Sequence, residues 1–418
     1  CVKESIALAT AKGFKDINEY SSLKTGDKVY VVNKDKNIAL FVMGEKPLTE
    51  GMRILGAHID SPRLDLKQNP LYESDGFAMM DTHYYGGVKK YQWVTIPLSL
   101  YGVVVKKDGT VVDVMIGEDE NDPVVGVTDL LIHLSADQLQ KTAAKVIEGE
   151  NLDLNVGSIP LDDEEKETVK RNILKLLQEK YDIEEEDFLS AEIEVVPTGK
   201  ARDFGIDRSM VMGYGHDDRV CAYTSLMAIL DIDTPEYTSC CILVDKEEIG
   251  SVGATGAQSL FFENTIAELL HLCGDDNYLS LKRAMTNSKM LSSDVSAGFD
   301  PLYKEVNDAK NAAYLGNGIC FNKYTGSRGK SGSNDANPEY MAELRKIMDE
   351  AQIHFQTAEL GKVDQGGGGT IAYILGNYNM NVIDAGIAVL NMHAPYEIVS
   401  KVDVYEGYLA YKVFLQKA

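Results

Sequence analysis

A short apolar run that ends in two adjacent glutamates constrains the fold of this chain more than any other feature. Residues 240–244 read CCILV, Glu247 and Glu248 follow, and a glycine-spaced turn occupies 249–253. A continuous apolar run of this length is typical of a buried parallel strand. Ligands of open α/β sheets bind at the carboxyl ends of such strands. The pattern therefore predicts a sheet edge that presents two carboxylates, although an isolated acidic pair is more often simply exposed to solvent.

Composition narrows the class of protein. The chain has 418 residues, 44% of them hydrophobic and 25% charged, so it is long enough to bury a large core in two or three domains. The net charge of -24 argues against nucleic-acid partners and anionic membrane surfaces, and no apolar stretch approaches the roughly 20 residues of a membrane-spanning helix. Six cysteines without CxxC spacing favour buried thiols in a reducing compartment. We therefore expect a soluble, cytoplasmic protein, and the first residue, Cys1, also fits a start inside a longer product.

The pattern of helix-like and strand-like segments changes twice along the chain, which predicts an inserted domain. Residues 1–85 begin with a helical pattern and continue as strands. Residues 86–203 hold β-rich runs around the hairpin signal Asp108-Gly109, followed by an acidic helical pattern at 162–181. From 204 onward strands alternate with helices. We predict an α/β fold with a mixed central sheet flanked by helices, built from 1–85 and 204–418, with a β-rich domain inserted at 86–203.

Two helices are predicted in the last stretch. The apolar residues 220–232 form one. The other carries an apolar stripe at helical spacing, which we assign to the core rather than to a cofactor site: Met341, Leu344, Met348, Ala351 and Phe355.

The first candidate site residues lie at the end of a predicted strand over 54–60. His58 is followed two residues later by Asp60. Because side chains alternate along a strand, Asp60 shares a face with His58 and is placed to orient its imidazole. A lone histidine in apolar surroundings is more often a core residue, but the aspartate and a preceding glycine favour a functional one.

Three further segment ends carry polar side chains. Asp217 lies in the segment 215–219, GHDDR, at the start of the predicted helix, where a helix cap explains one acid but not two followed by arginine. Asp294 follows a small-residue strand end, and His393 ends an apolar run that begins at Ile387. Nitrogen and carboxylate ligands without cysteine suit zinc, manganese or cobalt, and two such ions about 3.5 to 4 Å apart form a hydrolytic clamp.

Together these motifs resemble, in order and spacing, the aspartyl aminopeptidase family of dinuclear zinc exopeptidases. The resemblance covers nearly the whole chain and rests on residues 58–62, 85–87, 217, 247–251, 294, 369–371 and 391–393. It implies a metal-dependent aminopeptidase that removes N-terminal residues from peptides, with two divalent ions per chain, zinc first and manganese or cobalt as alternatives.

The resemblance also implies a ligand set. Asp217 would bridge both ions, His58 and Asp294 would complete one site, and Glu248 with His393 the other. These carboxylates supply three negative charges against the four positive charges of two divalent ions, which leaves net positive charge for an attacking hydroxide and a polarised carbonyl.

Two more residues receive catalytic roles from the resemblance. Glu247 would be the general base that deprotonates the metal-bridging water and passes the proton to the leaving amine. Asp60 would orient His58.

Assembly follows from the same resemblance. The inserted β-rich domain would mediate dimerisation within a tetrahedral homo-dodecamer. His133 falls where family members carry a histidine associated with the zinc sites, and we expect it to reach the active site of a neighbouring subunit and contact substrate. A packing histidine on an alternating strand is the alternative.

Two departures from the family pattern bear on specificity. Residues 297–301 lack the histidine expected after Asp294, and the basic residue that would hold an acidic side chain falls at Cys320. A preference for acidic N-terminal residues therefore stays open. The remaining substrate-loop candidates are Lys323 and Lys330, which supply cations, and Gly369, whose glycine-rich segment permits close approach of backbone to a peptide.

Two other functions fit part of the pattern. A noncatalytic, metal-stabilised assembly protein would keep the fold without the chemistry, and the intact Glu247 counts against it. A dinuclear deacylase or carboxypeptidase would need a cationic clamp for a substrate carboxylate, for which Arg219 and Arg328 are available.

Overall fold

The structure is a computed structural model that describes residues 1–162 and 165–418. It forms two compact units. Unit 1 comprises Cys1–Ser61, Arg202–Met392 and Glu397–Ala418, and unit 2 comprises Pro62–Ala201 and His393–Tyr396.

The described residues form 20 strands and nine α-helices. The strands are β1 (Lys15–Asp16), β2 (Lys28–Asn33), β3 (Asn37–Val42), β4 (Arg53–His58), β5 (Arg63–Ser74), β6 (Phe77–Tyr85), β7 (Leu98–Val105), β8 (Val111–Ile116), β9 (Leu154–Gly157), β10 (Ala191–Pro197), β11 (Arg202–Phe204), β12 (Met210–Gly213), β13 (Ser239–Val244), β14 (Lys289–Ser292), β15 (Ser296–Ala297), β16 (Ile319–Asn322), β17 (Phe355–Thr357), β18 (Asn381–Gly386), β19 (Ala388–Leu390) and β20 (Glu397–Ser400). The α-helices are α1 (Val2–Ala11), α2 (Ala143–Val146), α3 (Thr168–Tyr181), α4 (His216–Leu230), α5 (Phe261–Leu272), α6 (Tyr278–Thr286), α7 (Pro338–Ala351), α8 (Ala372–Gly376) and α9 (Lys401–Lys417).

Unit 1 is built on a mixed sheet of nine strands in the order β1-β2-β3-β13-β4-β14-β18-β16-β17. The interior strand β13 pairs parallel to β4 and antiparallel to β3. Its apolar run is continuous because both faces are covered: Cys241 and Leu243 pack in a core with α4, α7 and α9, whereas Cys240 and Ile242 pack in a second core with α5 and α6. The predicted α/β class with a mixed, helix-flanked central sheet is confirmed.

A second, smaller sheet of unit 1 has the order β11-β12-β20-β19-β15. All six cysteines lie in the described residues and none of them forms a disulfide; four are buried. Among the described residues, no helix is both long and apolar enough to cross a membrane.

Unit 2 is a six-stranded sheet in the order β8-β7-β10-β5-β6-β9, with α3 packed on it. Strands β7 and β8 form the hairpin predicted at Asp108-Gly109, closed by a hydrogen bond from the Gly109 amide to the Lys106 carbonyl (2.9 Å). The unit begins at Pro62, earlier than the predicted insertion at 86, because β5 pairs with β10 as well as with β6.

Several predicted boundaries differ from the observed ones. Phe355 is not on the predicted helix: α7 ends at Ala351, Gln352 adopts a left-handed φ of 58°, and Phe355 enters β17, where it still packs on the core. The helix predicted at 162–181 begins at Thr168, and residues 163–164 of that prediction lie outside the described residues. The helix predicted at 220–232 is α4, which already begins at His216.

Two predicted strands are shorter than expected. The strand predicted over 54–60 ends at His58, so Asp60 does not share a strand face with it. The strand predicted to end at His393 ends at Leu390, and both Asn391 and His393 have positive φ, which extended strands do not permit.

Candidate active site

Neighbouring strands of the central sheet bring distant parts of the chain to one edge. Strands β13 and β14 both pair parallel with β4, with Val244 opposite His58 and Ser292 opposite Gly56. The carboxyl ends of these three strands therefore lie side by side. The segments that follow them contain Asp60, the Glu247–Ile249 turn and Asp294.

His58 is the centre of this edge. It is buried, and its Nε2 lies 3.2 Å from Oδ1 of Asp217 and 3.9 Å from Oδ1 of Asp294. One ligand atom from each of these three residues lies within 4.8 Å of the others. The backbone amide of His58 donates to Oδ2 of Asp218 (3.2 Å), which fixes the end of β4.

Asp60 holds the imidazole and the glutamate turn together. Its Oδ1 lies 3.3 Å from Nδ1 of His58, and its backbone oxygen lies 3.0 Å from the same nitrogen. Its two carboxylate oxygens accept the backbone amides of Glu247 and Glu248, each at 3.1 Å. The predicted pairing with His58 thus exists, but a turn after the strand produces it rather than strand alternation.

Asp217 lies in the irregular first turn of α4. The helix has no side-chain hydrogen bond at its N-cap, and both Asp217 and Asp218 have non-helical φ and ψ. The Asp217 backbone is held from both sides: its amide donates to Oε2 of Glu397 (2.9 Å), and its carbonyl accepts the Ser61 hydroxyl (2.7 Å). Its Oδ1 lies 3.2 Å from Nε2 of His58, and whether Asp217 also caps the helix stays a prediction.

The electrostatics of this cluster suit a cation. Burial raises the pKa of Asp294 well above its ordinary range, and the carboxylates of Asp218 and Asp217 raise it further, although His58 lowers it. Burial lowers the pKa of His58, but hydrogen bonds to Asp217 and Asp60 outweigh burial and raise that pKa well above its usual value. Several buried carboxylates thus interact with the single imidazole of His58. A divalent ion held by nitrogen and carboxylate ligands would offset their mutual repulsion, so the donor set fits zinc.

The second predicted group is divided between the two units. Asp217 and Glu248 belong to unit 1, whereas His393 lies in the short segment that clusters with unit 2. Within unit 2, Nδ1 of His393 lies 2.9 Å from the Gly87 carbonyl, a contact of the kind that orients metal-binding imidazoles. Its role as a ligand remains a prediction.

Glu247 and Glu248 are half-buried in a single 3-10 turn directly after β13. The negative charge of Glu247 contributes to the raised pKa of Asp294, so the carboxylates of Glu247 and Asp294 interact electrostatically. A base adjacent to the ligand cluster is chemically reasonable there, and the role stays a prediction.

His133 lies in a 3-10 helix, Ile132–Leu134, and is exposed. The alternative that it packs on an alternating strand is therefore wrong. Its neighbours are exposed as well: Leu131 by 54% and Leu134 by 68% of their surface. Its contact with substrate stays a prediction.

The substrate-loop cations are partly neutralised. Lys323 and Lys330 both form ion pairs with Asp335, and the Lys330 ammonium lies 3.7 Å from the ring centre of Tyr324. Gly369 is exposed in its glycine-rich loop. Cys320 is fully buried in β16, so its thiol is not on a substrate-facing surface.

The two arginines proposed as carboxylate clamps differ. Arg219 donates to the carbonyls of Gly215 (3.1 Å) and Tyr214 (2.6 Å), so its guanidinium is committed to the turn before α4. Arg328 lines a cavity of about 320 Å³ together with Lys330 and Lys362.

Two residues of the site were missed from the sequence. Asp218 fixes the end of β4, and Glu397 fixes the Asp217 backbone. Asp218 was visible as the second acid of GHDDR, but Glu397 had no sequence signal because it reaches the site through the pairing of β12 with β20.

Comparisons with known proteins agree over nearly the whole chain. The family model described as aminopeptidase I zinc metalloprotease (M18) matches residues 1–415. A probable M18 family aminopeptidase 1 from Clostridium acetobutylicum is 63% identical over 420 residues, which cover 99% of this chain and 90% of the relative. A protein of the same description from Thermotoga maritima is 46% identical over 417 residues, which cover 100% of this chain and 92% of the relative.

Solved structures give the same result. The crystal structure of the Thermotoga maritima M18 aminopeptidase matches with a TM-score of 0.97 at 46% identity, covering 100% of this chain and 92% of that one. Aminopeptidase I from Clostridium acetobutylicum matches with a TM-score of 0.93 at 61% identity, covering 99% and 91%. The mApe1 dodecamer of S. cerevisiae shares the fold, with a TM-score of 0.79 at 20% identity and 99% and 92% coverage. The predicted family is confirmed, and the chain belongs to the M18 family of zinc metallo-aminopeptidases.

Proposed function

We propose that this M18 aminopeptidase holds two divalent ions per chain and removes N-terminal residues from peptides with Glu247 as general base. The observation that carries the proposal is the convergence of His58, Asp217 and Asp294, whose donor atoms lie within 4.8 Å of one another. Glu248 and His393 would complete the second site with Asp217. Zinc is the expected metal, with manganese or cobalt as alternatives, and when bound it would polarise the scissile carbonyl and acidify water.

The residues of the chain supply the rest of the reaction. Asp60 would hold His58 and the glutamate turn in place through the contacts of its single carboxylate. Glu247 would accept a proton from the attacking water and donate it to the leaving amine as the peptide bond breaks. The Asp60 carboxylate accepts the backbone amide of Glu247 and would thereby hold the turn that carries the base.

A preference for acidic N-terminal residues depends on a cation that faces the substrate side chain. An acidic side chain of the substrate would need a positively charged partner. Cys320 is buried and uncharged, and the charges of Lys323 and Lys330 are partly neutralised by Asp335. We therefore propose Arg328 as the cation that an acidic residue would meet, and Gly369 as a point of close backbone approach.

For assembly and compartment, we propose a cytoplasmic homo-oligomer in which dimers form a tetrahedral dodecamer, with the β-rich unit mediating dimerisation and His133 reaching a neighbouring subunit. The likeness in fold to a protein solved as a dodecamer supports the assembly, and six cysteines without a disulfide among the described residues support a reducing compartment.

The test compares two adjacent residues. Glu247→Gln should keep the wild-type metal content and lose at least about 100-fold in turnover, because the base is removed while the ligands stay. Glu248→Gln is the matched variant and should lose metal. Turnover is measured on unblocked acidic and neutral aminoacyl substrates, with N-acylated substrates alongside.

The alternatives have distinct outcomes in the same assay. Near-normal turnover in Glu247→Gln would contradict the mechanism. Release from N-acylated substrates only would favour a deacylase, and no turnover by metal-loaded wild-type protein would favour the noncatalytic assembly. Because Arg219 is bound to backbone carbonyls, a carboxypeptidase would depend on Arg328 for its cationic clamp, and release of C-terminal residues would favour that alternative.

A further inference from the structure

A buried aspartate next to the site has no role in the reaction derived above. Asp384 lies in β18, opposite Ser292 of β14 and Asn322 of β16, and is 2% exposed. Its Oδ1 accepts a hydrogen bond of 2.6 Å from the Thr370 hydroxyl. Burial of a carboxylate is costly unless hydrogen bonds or charges compensate, so its place in the central sheet indicates a function beyond packing.

Thr370 marks the point where an exposed segment becomes buried. Gly368 and Gly369 are exposed, Thr370 is half-buried, and Ile371 is 2% exposed. The Thr370 hydroxyl also accepts the amide of Ala372 (3.3 Å), the first residue of α8. One hydroxyl therefore joins β18 to the first turn of α8 and ends the exposed segment.

The other end of the segment is held by close backbone packing. A Cβ on Gly366 would lie 1.5 Å from the Leu360 oxygen. At Gly367, where φ is +118°, it would lie 2.2 Å from Cα of Ser327. The Gly368 amide donates to the Thr325 carbonyl (2.9 Å). Since both ends are held, the exposed Gly368–Gly369 backbone has a defined position.

This position is tied to the strands that carry the candidate ligands. Cδ1 of Ile371 lies 3.4 Å from the place of a Cβ on Gly56, which precedes His58 by two residues in β4. The Gly56 carbonyl accepts the amide of Ser293, the residue before Asp294 (2.6 Å). Burial raises the pKa of Asp384 to about 7 although the hydrogen bond from Thr370 lowers it, and the charge of Glu247 adds to the rise, which places Asp384 near the proposed base.

We propose that Asp384 and Thr370 are positioning residues that hold the Gly368–Gly369 backbone where it pairs with the main chain of the peptide substrate. The inference rests on the proposed function. Backbone without side chains approaches a peptide closely, and main-chain hydrogen bonds bind peptides independently of their sequence. The pair thus acts on substrate binding through the loop and touches no reacting atom.

The kinetic test compares Thr370→Val, which has the same shape without the hydroxyl, with Thr370→Ser, which keeps it. Thr370→Val should lower kcat/KM on unblocked peptides roughly tenfold, chiefly through KM, at wild-type metal content. Thr370→Ser should stay close to wild type. Asp384→Asn should have little added effect in the Thr370→Val background, because both changes break one contact.

A second readout is independent of turnover. Hydrogen exchange across residues 364–371 should be faster at Gly368 and Gly369 in Thr370→Val and unchanged in Thr370→Ser. Unchanged kinetics and exchange in Thr370→Val, equal losses in both variants, or loss of metal in Thr370→Val would each overturn the proposal. If wild-type protein hydrolyses no peptide, the proposed function fails and the substrate role of the pair is overturned with it. If wild type is active and only the Thr370→Val effects are missing, the positioning proposal alone fails.

Discussion

A single carboxylate, that of Asp60, connects three parts of the candidate site. It contacts the His58 imidazole and accepts the amides of both Glu247 and Glu248. An ionised carboxylate is an acceptor only, so each of these donors is satisfied by it. The side chain therefore fixes the ring orientation of a candidate ligand and the backbone of the candidate base together.

Asp60→Asn replaces one of these oxygens with an amide group that faces a backbone donor. We expect metal affinity or kcat to fall by about 10- to 100-fold, as for other outer partners of metal-binding histidines. Metal titration and steady-state kinetics measure the change. Asp233→Asn is the control, since that side chain is 98% exposed. Wild-type affinity and kcat in Asp60→Asn would show that the contacts are incidental.

The sequence predicted which residues meet at the candidate site, but it did not predict every contact that holds them there. His58, Asp217 and Asp294 were found because each follows or opens an apolar segment, and parallel strands align their ends. Glu397 was missed because its contact with the Asp217 amide depends on the register of β12 against β20, which is a nonlocal property. Asp384 was missed because it lies inside a strand rather than at its end.

At the scale of elements, close strand pairing explains why unit 2 includes more of the chain than predicted. Strand β5 lies between β10 and β6, so residues far apart in sequence share one sheet. Composition changes near residue 86, but hydrogen-bonded pairing extends the unit back to Pro62. Domain boundaries that depend on strand pairing leave no trace in local sequence patterns. The buried run of β13 and the β7–β8 hairpin are local features, and the sequence predicted both.

Gly102→Ala tests this pairing directly. A Cβ at this position of β7 would lie 2.0 Å from the Glu192 oxygen of β10, so the strands must separate. We expect the free energy of unfolding of unit 2 to fall by about 3 kcal/mol or more. Denaturant unfolding and hydrogen exchange of β7 and β10 measure the effect.

Gly109→Ala is the matched control in the same hairpin. Its Cβ would meet no atom within 4 Å, and its φ of +88° costs about 1 kcal/mol for alanine. A loss in Gly102→Ala no greater than that in Gly109→Ala would show that the β7–β10 contact adapts without strain.

For the whole molecule, the candidate ligands couple metal binding to folding. His58, Asp217 and Asp294 are far apart in sequence and meet only when β4, α4 and β14 are assembled. An ion held by all three therefore binds the folded chain and not the unfolded one, and binding adds to stability. The buried acids around His58 make the same site costly without a cation.

Metal removal should accordingly destabilise unit 1 and spare the sheet of unit 2. Each ion present at about 1,000 times its dissociation constant adds about 4 kcal/mol to the free energy of unfolding. With chelator, we expect a lower thermal midpoint and faster hydrogen exchange in β4, β13 and β14, both reversed by zinc. Strands β7, β8 and β10 serve as the internal control, since none of the three unit 1 ligands lies on them. If exchange in β4 stays the same after metal loss is verified by elemental analysis, the ligands are organised without the ion, and the stability of unit 1 is independent of metal.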